Sequence, residues 1–489
     1  MVSLLVLMLA LLIVPVIGAI LAGFARARNA PAIASVSALI AALLGIEVVI
    51  LAFSKAHTYL LGSMPWLPVK AGGGVFGLMV DPLSSIMLLV ITVIGFLVVL
   101  YSTEYLSERN AEHPYREGRP RYYFWLLLFL ASMVGVALSP NLLQLFIFWE
   151  MTTLCSWALI SYTGEPTAQR AGFKALVMTH VGGFGFLVAL LLVFAGAGSF
   201  DFEAIGSLGG GVKVAVFLLL LVAAWAKAAQ VPFHTWLPDA MEAPTPVSAY
   251  LHAAAMVKAG VYLVARLLVS GWQVPTEIGI VMAVMAMLTI FMAVLGYLRQ
   301  DDLKRLLAYS TIVHLGYVLV GLSLGVFGSQ LGYQGAVLHI LCHGAAKGTL
   351  FLCVGAVAYG AGSRRISELS GLASKMPLET VTFLVGALAV TGVPPLACFW
   401  SKLFIFAGAL ETPAGMPLLV LLMAESAISF GWLMWVAQRV FLGRTSMVAA
   451  AAADPPWPMS FALVAGMVLC VGAPYVGLPL VRLLAPGGF

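Results

Sequence analysis

"AAWAKAAQVPFHTWLPDAM" (Ala223–Met241) lies between two long apolar segments, and its reading decides the fold. Lys227 stands where lipid or packed helix is expected, and Pro232 and Pro238 follow at once. The surrounding chain of 489 residues is 62% hydrophobic and only 9% charged, a composition of membrane proteins. Apolar runs of about 20 residues, enough to cross a hydrocarbon core of ~30 Å, recur from one end to the other. Strand-type alternation is absent, so the expected fold is an all-α polytopic bundle and not an outer-membrane barrel. The first run, Ser3–Phe24, lacks a charged leading segment and reads as a retained helix. About fourteen spans are expected, with the seventh (212–230) and twelfth (378–409) interrupted.

The loop charges orient the bundle. Loops after odd-numbered spans carry most of the basic residues, among them Arg26, Arg109, Arg116, Arg170, Lys304, Arg305, Arg364 and Arg439. Loops after even-numbered spans carry Lys55, Lys70, Lys213 and Arg266. Positive-inside asymmetry places the first group in the cytoplasm and both termini on the outer side. The net charge of +5 follows from this topology and gives no hint of nucleic-acid binding. Cys155, Cys342, Cys353, Cys398 and Cys470 all fall in apolar segments without a C-x-x-C pair, so they read as small core residues, with no metal site expected.

Lys227, Lys258, Lys347 and Lys402 remain, all within spans. A lysine at bilayer depth costs roughly 2.5 kcal/mol or more, so four of them require a reason. Glu47, Glu150 and Glu425 also lie in spans, as do His252, His314, His339 and His343. Each lysine could pair with a carboxylate and simply pin helices together. The lysines outnumber the acids, however, and Glu47 has no partner in sequence and suits a packing or subunit contact. Lysine binds protons and coordinates no cation, which favours proton over sodium transfer. In "VLHILCHGAAKGTL", His339, His343 and Lys347 recur at i, i+4 and i+8 on one helix face, as a relay would need. His252 and Lys258 are six apart and point to different sides of their helix.

The chain contains a faint copy of itself. An offset of 164 carries Ser199 to Ser363, Trp236 to Trp400 and Glu150 to His314. This shift is five spans, and an odd shift inverts the second copy in the membrane. The breaks match as well, "QVPFHTWLP" in one copy and "TGVPPLACFWSK" in the other. The expected organisation is three leading spans and a loop (1–121), a first repeat of spans 4–8 (122–270), a second of spans 9–13 (271–445) and a final span (446–489). A break beside Lys227 would let water reach mid-membrane, and a second half-channel would end at Lys402.

"FWEMTTLCSWALISY", "DAMEAPTPVSAYLHAAAMVKAGVY", "DDLKRLLAYSTIVHLGY" and "TGVPPLACFWSKLF" resemble the antiporter-like subunits shared by respiratory complex I, Mrp antiporters and group 4 membrane-bound hydrogenases. Within that superfamily, "YSTEYLSERNAEHPYREGRPRYYFWLLLF" and "MAESAISFGWLMW" resemble the antiporter-like members of hydrogenase-4 or formate hydrogenlyase complexes. The resemblance implies a proton pathway along Glu150, Lys227, His252, Lys258, His339, His343, Lys347 and Lys402, with Glu150 and Lys227 as a gating pair. Asp239 and Glu242 would serve a proton entrance or cap a helix. His180 stands where some relatives carry arginine. The resemblance further implies that the chain holds no cofactor. Iron–sulfur clusters and a nickel–iron centre would belong to partner subunits, in the inner membrane of a prokaryote. Alternatives are a subunit of an Mrp-type Na+/H+ antiporter, a subunit of a complex I-like NADH dehydrogenase, or a non-pumping membrane anchor. The largest complex I members carry a lateral helix beyond the core, whereas this chain ends at Phe489 shortly after the fourteenth span, a departure from the pattern of complex I's distal subunit.

Overall fold

The computed structural model describes residues 3–53, 55–62, 75–115, 117–270, 273–413 and 415–485. Lys70 and Arg116, counted above among the loop charges, lie outside the described residues. The helices in chain order are α1 (Leu4–Phe24), α2 (Ala30–Leu51), α3 (Pro82–Tyr105), α4 (Arg119–Leu138), α5 (Leu142–Ile160), α6 (Pro166–Ala197), α7 (Gly210–Lys227), α8 (Trp236–Asp239), α9 (Thr245–Ala253) and α10 (Met256–Val269). They continue as α11 (Thr276–Tyr297), α12 (Leu303–Val326), α13 (Gln330–Ala361), α14 (Pro377–Thr391), α15 (Ala397–Leu410), α16 (Gly415–Phe441), α17 (Met447–Ala450) and α18 (Trp457–Val481). Among the described residues 13 helical stretches, α9 and α10 together counting as one, are long and apolar enough to cross a membrane. The apolar helices α14 and α15 are shorter and lie on either side of the interruption expected in the twelfth span.

Side-chain caps start several of these helices where the sequence provides them. Asp81 accepts from Ser84 N at 2.7 Å, Asn141 from Gln144 N at 2.9 Å and Ser329 from Gly332 N at 3.0 Å. Asp302 accepts from both Lys304 N and Arg305 N at the start of α12.

The internal copy is visible in the backbone. α6 and α13 are both 32 residues long, related by the 164 offset at both ends, and each stops at a left-handed glycine, Gly198 or Gly362. In each copy the helix before is tied to the segment after: Leu142 N donates to Phe200 O at 2.9 Å, and Leu303 N donates to Arg364 O at 3.1 Å.

Two features differ from the sequence expectation. A two-stranded antiparallel ribbon, β1 (His57–Gly62) with β2 (Phe76–Val80), joins α2 to α3. These strands are too short to carry a detectable alternation. The eighth span is also broken, between α9 and α10, where Ala254 N and Ala255 N both donate to Tyr250 O. No proline marks this interruption, unlike the other two.

Side chains and backbone groups of the protein take up bonds that the breaks release. After α7, Trp236 Nε1 donates to Ala226 O at 2.9 Å, Gln230 Nε2 to Ala228 O at 2.8 Å, and Val231 N to Thr289 Oγ1 at 3.1 Å. Between α14 and α15, Trp400 Nε1 donates to Pro395 O at 3.2 Å. Non-helical backbone persists at membrane depth because protein groups replace water as its partners.

The α9–α10 span and α13 are buried along their whole membrane length, and α12 nearly so. α13 packs against α3, α9, α12, α14, α15 and α18 and forms the axis of the bundle. Side chains on these helices face protein, so a polar group there must find a polar partner or remain unsatisfied.

Candidate functional site

A run of polar contacts crosses this axis. Lys258 on α10 lies 2.7 Å from Nδ1 of His343 on α13. The His343 ring lies 5.1 Å, centroid to centroid, from that of His314 on α12. His314 Nδ1 is 3.0 Å from His339 Nε2, and His339 Nδ1 is 2.8 Å from Ser401 Oγ on α15. All six residues, counting Lys402 beside Ser401, are buried.

The donors can be assigned through the network. Ser401 gives its hydroxyl proton to Cys398 O at 3.2 Å, so it accepts from His339 Nδ1–H. Neutral His339 then has a bare Nε2, which accepts from His314 Nδ1–H. An ammonium only donates, so Lys258 gives its proton to His343 Nδ1. The bonds from His314 to Ser401 therefore point one way. A proton added at His314 Nε2 can release the Nδ1 proton to His339, as a relay requires.

The neighbouring lysine ends the run. Lys402 Nζ donates to Ser426 Oγ at 2.9 Å and to Thr391 O at 3.2 Å, and lies 4.7 Å from the Tyr317 ring centroid. Tyr317 donates to Glu425 Oε2 at 2.6 Å, and Ser429 donates to the other carboxylate oxygen. Gly392 allows this approach. It has φ +91°, and a Cβ there would stand 3.1 Å from Lys402 Cδ.

The first half is arranged differently from the expectation. Lys227 donates to Trp149 O at 2.5 Å and to Thr152 Oγ1, and its ammonium lies 4.7 Å from the Trp149 ring centroid. Glu150, the next residue along α5, turns instead to His180 Nδ1 on α6 at 2.7 Å. Gly183 leaves room for this carboxylate, since a Cβ there would collide with Glu150 Oε1. Glu150 and Lys227 are therefore neighbours without an ion pair. Successive residues on a helix point about 100° apart, so Lys227 reaches the backbone of α5 and Glu150 swings away.

Four further expectations are corrected or refined. Lys347 hydrogen-bonds to none of the histidines among the described residues and donates instead to Leu307 O at 3.3 Å. His252 packs on Phe351, with ring centroids 4.6 Å apart, and neither ring nitrogen has a partner. Asp239 and Glu242 cap no helix: Asp239 pairs with Lys174 at 2.7 Å and Glu242 with Arg305 at 3.4 Å, on a surface recess that also includes Arg170. Arg266 and Lys304, expected to be loop charges, are buried. Arg266 pairs with Asp81 and donates to Ser84 Oγ and Tyr262 Oη, while Lys304 donates to Met241 O and Ala243 O. Both sit at helix ends, where a side chain turns inward as readily as outward.

None of Lys227, Lys258, Lys347 and Lys402 lies within ion-pair distance of a carboxylate among the described residues. Glu47 is exposed on α2. No group of three or more His, Cys, Asp or Glu side chains is placed to hold a metal ion among the described residues. His180, His314 and Glu425 were visible in the sequence as polar residues without assigned partners. Ser401, Tyr317 and Ser426 carried no signal, because hydroxyl residues are common in spans.

Fold and site together define an antiporter-like membrane subunit. Residues 139–429 match the family model described as NADH:quinone oxidoreductase/Mrp antiporter, TM, and residues 66–123 match that of the NADH-ubiquinone oxidoreductase (complex I) chain 5 N-terminus. The chain belongs to this NADH:quinone oxidoreductase/Mrp antiporter family. It is similar to the chloroplastic NAD(P)H-quinone oxidoreductase subunit 5 of Chaetosphaeridium globosum, at 39% identity over 73% of this chain and 54% of the relative. The Zygnema circumcarinatum protein of the same name is 42% identical over 68% of this chain and 48% of the relative. The chain thus spans about half the length of these curated relatives. In three dimensions it resembles a chain of the Mrp complex from Dietzia sp., with TM-score 0.83 and 29% identity over 99% of this chain and 51% of that one. It also resembles a chain of the membrane-bound sulfane sulfur reductase, an archaeal respiratory membrane complex, with TM-score 0.83 and 25% identity over 97% and 96% of the two chains.

Proposed function

We propose that this chain moves protons through the membrane part of a complex I-like quinone oxidoreductase, along the run from Lys258 to Ser401 and Lys402. The observation that carries this reading is that run itself: three buried histidines, two of them bonded in one donor direction towards Ser401, with buried Lys258 bonded to the third and buried Lys402 next to Ser401. A scaffold could bury leucine at the same positions at lower cost. The similarity to NAD(P)H-quinone oxidoreductase subunits supports this kind of complex over the hydrogenase-4 type drawn from the motifs. The chain would move protons while electron transfer, with its iron–sulfur clusters, occurs in partner subunits.

Lys227, Glu150 and His180 would form a second proton-holding group in the first half. Closing Glu150 on Lys227 would need only a change of partner, from His180 to the ammonium beside Trp149. Lys347 and His252 would connect through internal water, because His252 lacks any protein partner. The remaining loop charges favour an outer side for both termini. The nearly full-length overlap with a chain of an archaeal respiratory complex supports a prokaryotic inner membrane and a respiratory assembly.

Affinity purification of the intact complex through this chain tests the assignment. Flavin- and iron–sulfur-bearing partners that oxidise NAD(P)H or another reductant support it. A nickel-bearing partner would restore the hydrogenase reading, and membrane subunits alone would point to an Mrp-type antiporter. A complex with electron transfer but no proton movement would make the chain an anchor.

A further inference from the structure

Glu379 is a buried acid that the sequence reading did not single out. It lies in the first turn of α14, is 0% exposed, and neither carboxylate oxygen has a hydrogen-bond partner. The titratable groups in electrostatic reach are Cys353 on α13, Tyr101 on α3 and Asp454 in the segment after α17. None of these is a cation. The Cys353 thiol donates to the Glu379 backbone carbonyl at 3.1 Å, so it leaves the carboxyl untouched. Tyr101 gives its hydroxyl to Leu352 O. The segment after α17 folds back over this end of the bundle, where Ala453 N donates to Gly360 O at 3.2 Å.

A buried carboxyl without cation or donor is stable only when it is protonated or hydrated. Its place on a helix start would favour the charged form through the dipole. The two effects oppose one another and leave a group that can both take up and release a proton. Cys353 is six residues along α13 from Lys347, a rise of about 9 Å at 1.5 Å per residue and on a different side of the helix, so a proton path between the two would have to run around α13 through internal water. Among the described residues Lys347 has the Leu307 carbonyl as its one hydrogen-bond partner, and His252 on the adjoining helix has no hydrogen-bond partner. Three under-partnered polar groups thus surround one stretch of α13.

We propose that Glu379 is a proton-loading site, exchanging protons with water at the α13–α14 end of the bundle and passing them to Lys347. This inference rests on the proton-transfer reading above. The step is a plain proton transfer: the Glu379 carboxyl loses a proton to water, and Lys347 gains one.

The test uses the whole complex in vesicles, with wild type, Glu379→Gln and Lys258→Ala compared for proton translocation per electron transferred. Glu379→Gln is expected to reduce translocation by about 100-fold, the lower end of what a positioned proton donor contributes. A pH-difference infrared spectrum should lose a carboxylic C=O band in the same variant. If Glu379→Gln assembles poorly, Glu379→Asp carries the test, since its carboxylic band must shift. Normal translocation in Glu379→Gln with loss in Lys258→Ala, or a band unmoved by either Glu379 change, overturns the loading site alone. Normal translocation in both variants overturns the proton-transfer reading with it.

Discussion

Lys258 Nζ stands 2.7 Å from His343 Nδ1, and this contact joins α10 of the first repeat to α13 of the second. The lysine must donate, so His343 keeps its remaining proton on Nε2, which has no partner. A proton leaving Lys258 for Nδ1 would make His343 an imidazolium with a free donor facing its surroundings. The contact between the repeats is thus also the point where the charge can change helices.

His314 lies in the middle of the run, between His343 and His339. Replacing it with leucine removes the donor to His339 and fills the site with an apolar group. Proton translocation should fall by about tenfold or more, equivalent to at least ~1.4 kcal/mol on the limiting step. Assembly should persist. Translocation per electron in reconstituted vesicles checks this.

Ser401 accepts from His339 and donates to Cys398 O. Ser401→Ala leaves the His339 Nδ1–H buried without an acceptor, at about 1–3 kcal/mol. Translocation and thermal stability should both fall, whereas Ser401→Thr should keep most of each. A difference between the alanine and threonine variants, measured by pH-jump kinetics and thermal unfolding in detergent, checks this.

Asp81 and Arg266 are 2% and 3% exposed and form a buried ion pair between the start of α3 and the end of α10. Asp81→Ala alone strands the guanidinium and should cost about 3–5 kcal/mol. The double change Asp81→Ala with Arg266→Met should recover much of that loss. Folded yield and thermal unfolding of the three variants check this.

Asp239 and Lys174 are 42% and 38% exposed, so their ion pair is worth at most about 1 kcal/mol. Asp239→Asn should barely change stability. If Asp239 gathers protons at the surface, the variant slows uptake at low salt and differs less from wild type as screening shortens the field. Uptake rates across an ionic-strength series check this.

Legibility followed chemical cost. Lys227, Lys258, Lys347 and Lys402 stand out in apolar runs because a buried ammonium is expensive, and Pro232 and Pro395 mark breaks because proline lacks a donor. Partners were harder to read. Glu150 meets His180 and not Lys227 because helix azimuth, set by tertiary packing, decides which neighbour a side chain reaches. The α9–α10 break left no signal because an alanine-rich run normally favours an unbroken helix. Asp81 with Arg266 was hidden by its position at span ends, where a charge usually signals a loop. Glu379 was hidden in the same way.

The most direct test of the proton run is the internal pH of vesicles that hold the complex during electron transfer, with wild type set against Lys258→Met. The account predicts a pH change in wild type, collapsed by uncoupler, and its loss in an assembled Lys258→Met complex. A pH change of the same size in that variant would contradict it.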